Sequence, residues 1–366
     1  MFDLYSGNTP SRLNKEHFKG TVNWISSGEL KEHYIYSSKE QISEEAAKSL
    51  KLLPVGTFVI AIYGLEAEGV RGTGSITQEP STISQACMSF IQKGEIGNEF
   101  LYSWYKKHGN VIGIRYAQGT KQQNLSYDIL EKFRIVYPKT KEQEKLNKLI
   151  SLLDERISTQ NKIIEDLKKL KSAIIEIEYT PNTKTTSPIG DVIEQISKRN
   201  KNNAIQNVLS VSNRQGFIKQ SEQFENRNVA SEDTSNYKIV EQNDFAFNPA
   251  RINVGSIARL TTFEKGIVSP MYVCFRTQEN VAPEYIDYFF ESKHFYCEIQ
   301  KRLEGSVRQC LSFEGLCNIP LSLPSFEIQQ RIGKRIFTLE QKIKMETDLL
   351  ELLNKQKQYL LRQMFI

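Results

Sequence analysis

Side chains able to hydrogen-bond a base edge or a phosphate oxygen recur between the apolar runs of this 366-residue chain. Direct reading of a base pair in the major groove takes Arg, Lys, Asn or Gln, and phosphate contact takes basic or small polar groups. In the first third of the chain the candidates are Arg12, Lys15, Trp24, Ser26, Ser27, Tyr63, Arg71, Arg115, Tyr116, Lys121, Gln122 and Gln123. In the second half they are Lys198, Arg199, Asn202, Asn213, Arg214, Asn248, Arg251, Asn253, Arg259, Arg308 and Gln309. Each alone is also an ordinary solvated side chain. Their weight is collective, because they cluster in loops flanking predicted strands. Arg251 and Asn253 stand between a strand and a turn at Gly255, where a side chain is presented outward. Gln123 and Gln309 hold equivalent positions 186 residues apart, just before a helix or strand, so phosphate contact, capping and base reading all stay open there.

Catalytic chemistry has less to stand on. NPAR, from Asn248, differs from the Asn/Asp-Pro-Pro-aromatic loop with which adenine methyltransferases hold a target amino group. Ala250 replaces the second Pro and Arg251 the aromatic, and no Gly-rich cofactor loop follows an early strand. GVRGTGS, from Gly69, lacks the GxxxxGK[ST] spacing of a phosphate-cradling loop and any following apolar helix. His17, His33, His108 and His294 are scattered and form no triad with Ser and Asp. The five cysteines (Cys87, Cys274, Cys297, Cys310 and Cys317) include no CxxC pair and have no His near the closest two, so buried free thiols rather than metal ligands are expected.

Two long helical stretches must position these residues. In the first, roughly 139–178, Leu146, Leu149, Ile150, Leu153, Ile157, Ile163, Ile164, Leu167, Leu170 and Ile174 recur every three or four positions. At 1.5 Å per residue, ~36 residues make a rod of about 54 Å. The second stretch, 325–366, repeats the first at a shift of 186 residues: Leu146 falls on Ile332, Leu153 on Leu339, Ile157 on Ile343, Leu167 on Leu353 and Ile174 on Leu360. Ile150, Ile164, Ile336 and Leu350 complete the predicted seam between the helices. Gln160 against Glu346 repeats its polar interruption. The match continues upstream, with Leu125 on Leu311, Ser126 on Ser312, Pro138 on Pro324 and Gln143 on Gln329, so the chain is an internal duplication.

Each repeat opens with a mixed α/β unit. In the first, LLPVGTFVIAIYG from Leu52 and STISQACMSFIQKG from Ser81 each predict one strand. NEFLYSWYKKHG predicts a helix capped at Gly109, and FRIVYP a strand ended by Pro138. In the second, NDFAFNPARINVGSI, IVSPMYVCF, PEYIDYFFES and EGSVRQCLS follow in the same order. The stretches between these scaffold pieces differ. Predicted boundaries are a first domain at 1–138, a helix at 139–179, a linker at 180–188, a second domain at 189–324 and a helix at 325–366. The expected fold is mixed α/β (α+β), with two similar domains carried on two antiparallel coiled-coil helices related by a pseudo-twofold. One turn of DNA is ~34 Å and twofold proteins read half-sites one turn or more apart, so such a spacer suits two reading heads.

The order of unit, helix, unit, helix resembles the specificity subunit of type I restriction–modification systems. FAFNPARINVGSIA, PEYIDYFFES, GTKQQNLSYDILEKFRIVYP and the helix openings KEQEKLNKLISLLDERI and FEIQQRIGKRIFTLEQKI carry the likeness, which covers nearly the whole chain. It implies two target recognition domains reading a bipartite double-stranded DNA target. It also implies helices that dock two methyltransferase subunits, to which restriction/translocase subunits bind. The chain itself is then non-catalytic, with S-adenosylmethionine, Mg and ATP held only by partner subunits. Family members usually carry a lead-in before the first domain. The second unit has one, SPIGDVIEQ from Ser187, while the first opens at MFDLYSG, so either a truncated start or a downstream initiation codon is expected here. A coiled-coil adaptor with two protein-binding domains is the alternative. Net charge +5 with a pI near 8.7 permits an anionic partner without demanding one. No apolar run reaches the ~20 residues of a membrane span and the start lacks the pattern of a signal peptide, so a cytoplasmic location with no membrane partner is expected.

Overall fold

Two helices of 39 residues each, Thr140–Glu178 and Phe326–Met364, run without a break. The structure is a computed structural model and describes residues 1–67, 69–119, 122–180, 186–213, 215–223, 233–305 and 309–365. The chain divides into two units, and each takes in part of both helices. Unit 1 is Met1–Asn161 with Asp348–Ile366, and unit 2 is Lys162–Thr347.

In unit 1 the main sheet has the strand order Phe2–Ser6, Cys87–Gln92, Phe58–Ala61, Gly74–Thr77, Tyr34–Ile35. A three-stranded sheet joins Glu40–Ile42, Val22–Ile25 and Ser81–Ile83. Helix Asn98–Tyr116 buries Phe100, Leu101, Trp104 and Tyr105 among Phe58, Ile60, Ile76 and Met88. Unit 2 repeats the plan. Its first sheet runs Ile193–Ile196, Val273–Thr277, Phe245–Phe247, Ile257–Arg259, with helix Pro283–Phe289 against it. The registers match: Phe58 pairs Phe90, which pairs Leu4, as Phe245 pairs Phe275, which pairs Gln195. Its second sheet, Gly216–Lys219, Val208–Ser212, Lys265–Val268, Lys238–Glu241, keeps the antiparallel-then-parallel pairing of the small sheet in unit 1.

Within each unit the two long helices pair antiparallel. In unit 1 Lys357 binds Asp154. In unit 2 Lys171 binds Glu340 at 2.6 Å and Arg335 binds Glu178 at 3.4 Å. Burial alone disfavours the Lys171 ammonium, but Glu291 and Glu340 more than offset it and its pKa is raised. Ile150, Leu153, Ile164, Ile174, Ile332, Ile336 and Leu353 are buried, and Leu146, Ile157, Leu167, Leu339, Ile343, Leu350 and Leu360 half-buried. Leu149, Ile163 and Leu170, which belong to the apolar stripe but not to the predicted seam, are 42%, 40% and 47% exposed. A seam of period 3.5 admits only part of a wider 3.6-period stripe.

A buried glutamine ties the first turn of each helix to its domain. Gln143 Oε1 accepts from the Gly97 amide (3.0 Å), while Nε2 donates to the carbonyls of Glu95 (3.1 Å) and Pro138 (2.9 Å). Gln329 does the same with the Ala282 amide and the Pro324 carbonyl, both at 2.9 Å.

Four sequence expectations change. Ser81–Gly94 is two strands in two sheets, because a turn returning the Cys87 amide to the Ser84 carbonyl redirects the chain. Gly109 is interior to its helix. A Cβ there would lie 2.9 Å from Gly72 Cα, so it permits a close approach and caps nothing. Arg134–Val136 of FRIVYP belongs to no sheet, since among the described residues no strand lies beside it to supply the ladder. The expected linker 180–188 contains a strand, Thr186–Pro188, paired with Pro320–Ser322, and residues 181–185 lie outside the described residues. Among the cysteines, Cys87 and Cys274 are buried, and burial pushes both thiols up to about 12. Cys310 and Cys317 are half-buried, while Cys297 is exposed on the outer face of helix Lys293–Gln300.

Candidate nucleic-acid interface

Each unit brings two loops together by backbone bonds, and the pair recurs. In unit 1 the stretch Gln118–Asn124 is closed by two reciprocal bonds of 2.9 Å between Gln118 and Asn124. In unit 2 Glu304 and Cys310 close the equivalent loop at 2.9 and 2.8 Å. Gly119 (φ 115°) and Gly305 (φ 104°) supply the left-handed turn at the same place in both. The partner loop is the exit of the central sheet strand. In unit 1 the Leu125 amide donates to the Ile62 carbonyl (2.9 Å), the Leu65 amide to the Gln123 carbonyl (3.0 Å) and the Gln123 amide to Glu66 (2.8 Å). In unit 2 the Leu311 amide donates to the Pro249 carbonyl at 3.0 Å. Gln309 is exposed and Gln123 half-buried beside these junctions. Lys121, Arg214 and Arg308 lie outside the described residues.

Arg251 is exposed at the head of the short turn Ile252–Val254, which ends on Gly255 at φ 89°. Asn253 is half-buried on the same turn. Asn213, exposed, stands beside it, its Cβ 3.8 Å from where a Gly255 Cβ would be. This is a presenting edge, with two amides and a guanidinium next to the Gly305 loop. Asn248 does not join it. It is buried, and its Oδ1 accepts from the Ala250 amide at 3.1 Å, holding the NPAR turn in shape.

Arg259 does not face solvent either. Its Nη1 binds Glu284 (2.6 Å) and Asn243 (2.9 Å), and its Nε binds Asp287 (3.1 Å). Burial pushes the Asp287 carboxyl up to about 6 in spite of that guanidinium. The residue clamps sheet to helix. Lys198 and Arg199 are exposed on a different loop, where Arg199 reaches Asn236 at 2.8 Å.

In unit 1 the candidates separate in the same way. Trp24 is 4% exposed and donates its indole N–H to the Asn8 carbonyl, so its ring is closed to a base. Ser26 is bound to Glu29 in a capping box. Arg71 gives its Nε to the Leu65 carbonyl at 2.8 Å and braces the sheet-exit loop from behind. Arg12 is exposed but held in a fork on Glu40 (2.9 and 2.7 Å) and lies over Phe18. That fork lowers the Glu40 carboxyl and raises Arg12. Lys15 and Arg115 are exposed. Residue type alone did not reveal the ring-closing pair Gln118 and Asn124. The repeat of QGTKQQNLS in EGSVRQCLS carried that signal.

The sequence profile described as Type I restriction modification DNA specificity domain matches residues 1–169 and again 181–355. The chain belongs to the type I restriction–modification DNA specificity family. Similar relatives are the MjaIX specificity subunit of Methanocaldococcus jannaschii, 28% identical over 188 residues, and the EcoR124I/EcoR124II specificity subunit of Escherichia coli, 29% identical over 168. These matches cover 49% and 44% of this chain but 42% and 40% of the relatives, less than half of each. The fold resembles that of a type I restriction–modification S subunit from M. genitalium, with a TM-score of 0.59 and 16% identity over 100% of this chain and 94% of that one. Two copies of the family's domain in one chain agree with the duplication. Among the described residues no helix is long and apolar enough to cross a membrane, and no group of three or more His, Cys, Asp or Glu is placed to hold a metal ion.

Proposed function

We propose that this chain is the non-catalytic DNA specificity subunit of a type I restriction–modification complex. It binds a bipartite double-stranded DNA target and directs adenine methylation or cleavage by partner subunits. The observation that carries the reading is the paired loop. Both units close it with the same backbone bonds, yet they hang different side chains on it, GTKQQ in one and GSVRQ in the other. A common frame with unlike side chains suits the reading of two unlike half-sites. Arg251, Asn253, Asn213, Gln309 and Arg308 serve unit 2, with Lys198 and Arg199 on phosphates. Lys121, Gln123, Arg115 and Lys15 serve unit 1.

The partners are two methyltransferase subunits on the long helices and, through them, restriction/translocase subunits. S-adenosylmethionine, Mg and ATP belong to those partners. Large apolar side chains left exposed along the helices, such as Leu152, Leu170, Ile177, Phe337, Leu352 and Tyr359, support docking there.

The test is co-expression with a methyltransferase subunit, capture of the complex and mapping of methylated sites. Two separated half-sequences are expected, and exchange of residues 1–137 for another recognition domain should alter one of them only. A change in both halves ends the modular reading. Failure to capture the methyltransferase together with salt-independent DNA binding favours the adaptor instead.

A further inference from the structure

In unit 2 a permanent cation joins sheet to helix. Arg259 binds Glu284 at 2.6 Å and Asp287 at 3.1 Å on helix Pro283–Phe289, and a guanidinium does not lose its charge in a protein. In unit 1 the place of Arg259 is taken by Ile76. Each pairs with the opening phenylalanine of the central strand, Phe245 or Phe58, but Ile76 is apolar and buried. The helix still offers an acceptor there. Glu99 and Tyr102 stand 185 positions before Glu284 and Asp287.

Unit 1 brings its cation from one strand further out. Strand Tyr34–Ile35 lies parallel to Gly74–Thr77, where the sheet of unit 2 ends, among the described residues, at Ile257–Arg259. The Ile76 amide donates to the His33 carbonyl at 2.8 Å. The His33 ring lies between those of Tyr34 and Tyr102, 4.0 Å from each and within 10° of parallel to both. Its Nε2 stands 2.9 Å from Glu99 Oε2, and the side chain is 17% exposed. Lys106 lies 5.3 Å over the Tyr102 ring. Glu32, Tyr36 and Asp154, the last bound to Lys357, complete the charged and titratable surroundings. Burial, aided by Glu99, pushes the Tyr34 hydroxyl up to about 12, and burial raises Tyr102 as well, so neither titrates alongside the histidine.

We propose that His33 is a positioning residue of unit 1, a clamp whose grip on helix Asn98–Tyr116 depends on the charge of its ring. A neutral ring still donates one N–H to Glu99. A charged ring adds a Coulomb attraction that the neutral one lacks. The grip is therefore strongest on the acid side of neutrality and slackens as pH rises. The helix leads within two residues to Gln118, which closes the paired loop with Asn124, so the slackening reaches that loop. That the loop meets DNA rests on the proposed function, whereas the clamp does not.

The test is amide hydrogen exchange on the full chain without DNA, between about pH 6 and 8, corrected for the intrinsic pH dependence of exchange. Protection of helix Asn98–Tyr116 and of the Gln118 and Asn124 amides should fall roughly threefold across that range, the size expected of a partly exposed ion pair. His33→Gln should abolish this fall, and so should Glu99→Gln, while helix Pro283–Phe289 stays as in the parent. Burial favours the neutral form of His108 on the same helix, and any slope it adds persists in both variants. Protection that is flat or rises with pH in the parent, or a fall that survives either substitution, overturns the proposal.

Discussion

The ring of Phe365 stands 5.1 Å from that of Phe100, with Phe365 fully buried and Phe100 nearly so. The same pair exists in unit 2, where Tyr179, 186 positions before Phe365, lies 4.8 Å from Tyr285 and donates its hydroxyl to the Tyr285 carbonyl at 2.6 Å. Each long helix therefore ends by burying an aromatic side chain against a domain helix, and Lys107 seals the first of these joints by binding the Phe365 carbonyl. Phe365→Ala should cost unit 1 about 3–5 kcal/mol. Hydrogen exchange should quicken in helix Asn98–Tyr116 and not in Pro283–Phe289. Tyr179→Ala should do the reverse. Equal loosening of both helices by either variant would argue against separate joints.

The glutamines at the helix starts make a second matched pair. Gln143→Leu leaves the Gly97 amide and two carbonyls without their partner, and Gln329→Leu leaves the Ala282 amide. A loss of about 1–3 kcal/mol is expected for each, read as a lower urea midpoint. Unchanged midpoints would mean that solvent replaces these bonds freely.

Arg251 and Arg259 separate surface from scaffold. Arg251→Ala should leave melting unchanged and weaken cognate DNA by ~1–3 kcal/mol if the guanidinium forks onto a base. Arg259→Ala leaves Asp287 and Glu284 without their cation and should destabilise on the order of 3 kcal/mol. Titration of both variants with cognate and scrambled duplexes decides the matter. If Arg251→Ala binds every sequence as the parent does, that side chain reads nothing.

Lys198 and Arg199 are assigned to phosphates. Replacing each with Ala should reduce the slope of log affinity against log salt by about one and leave the preferred sequence intact. A changed sequence preference would move them to base reading.

The duplication was legible because a constant shift of 186 residues aligned apolar periods, prolines and the two glutamines at once. The seam was legible for the same reason, as a narrower line within the apolar stripe whose other members Leu149, Ile163 and Leu170 face outward. Backbone turns were harder. The split of Ser81–Gly94 depends on a three-residue turn, and Gly109 answers to Gly72, which lies 37 positions away in sequence and touches it only after folding. At the candidate interface, residue type suggested a chemistry but could not say which side of the surface a side chain faces. Trp24, Asn248 and Arg259 have the same kinds of polar group as Arg251 and Asn213, and only the packing around them shows which are turned inward.

Phe365 has a consequence for how the protein is made. Translation runs from the N-terminus to the C-terminus, yet the core of the first unit takes in Phe365, a residue 258 positions beyond Lys107. The domain that leaves the ribosome first is therefore among the last to be finished, and Phe100 stays uncovered until the whole of the second unit has been translated.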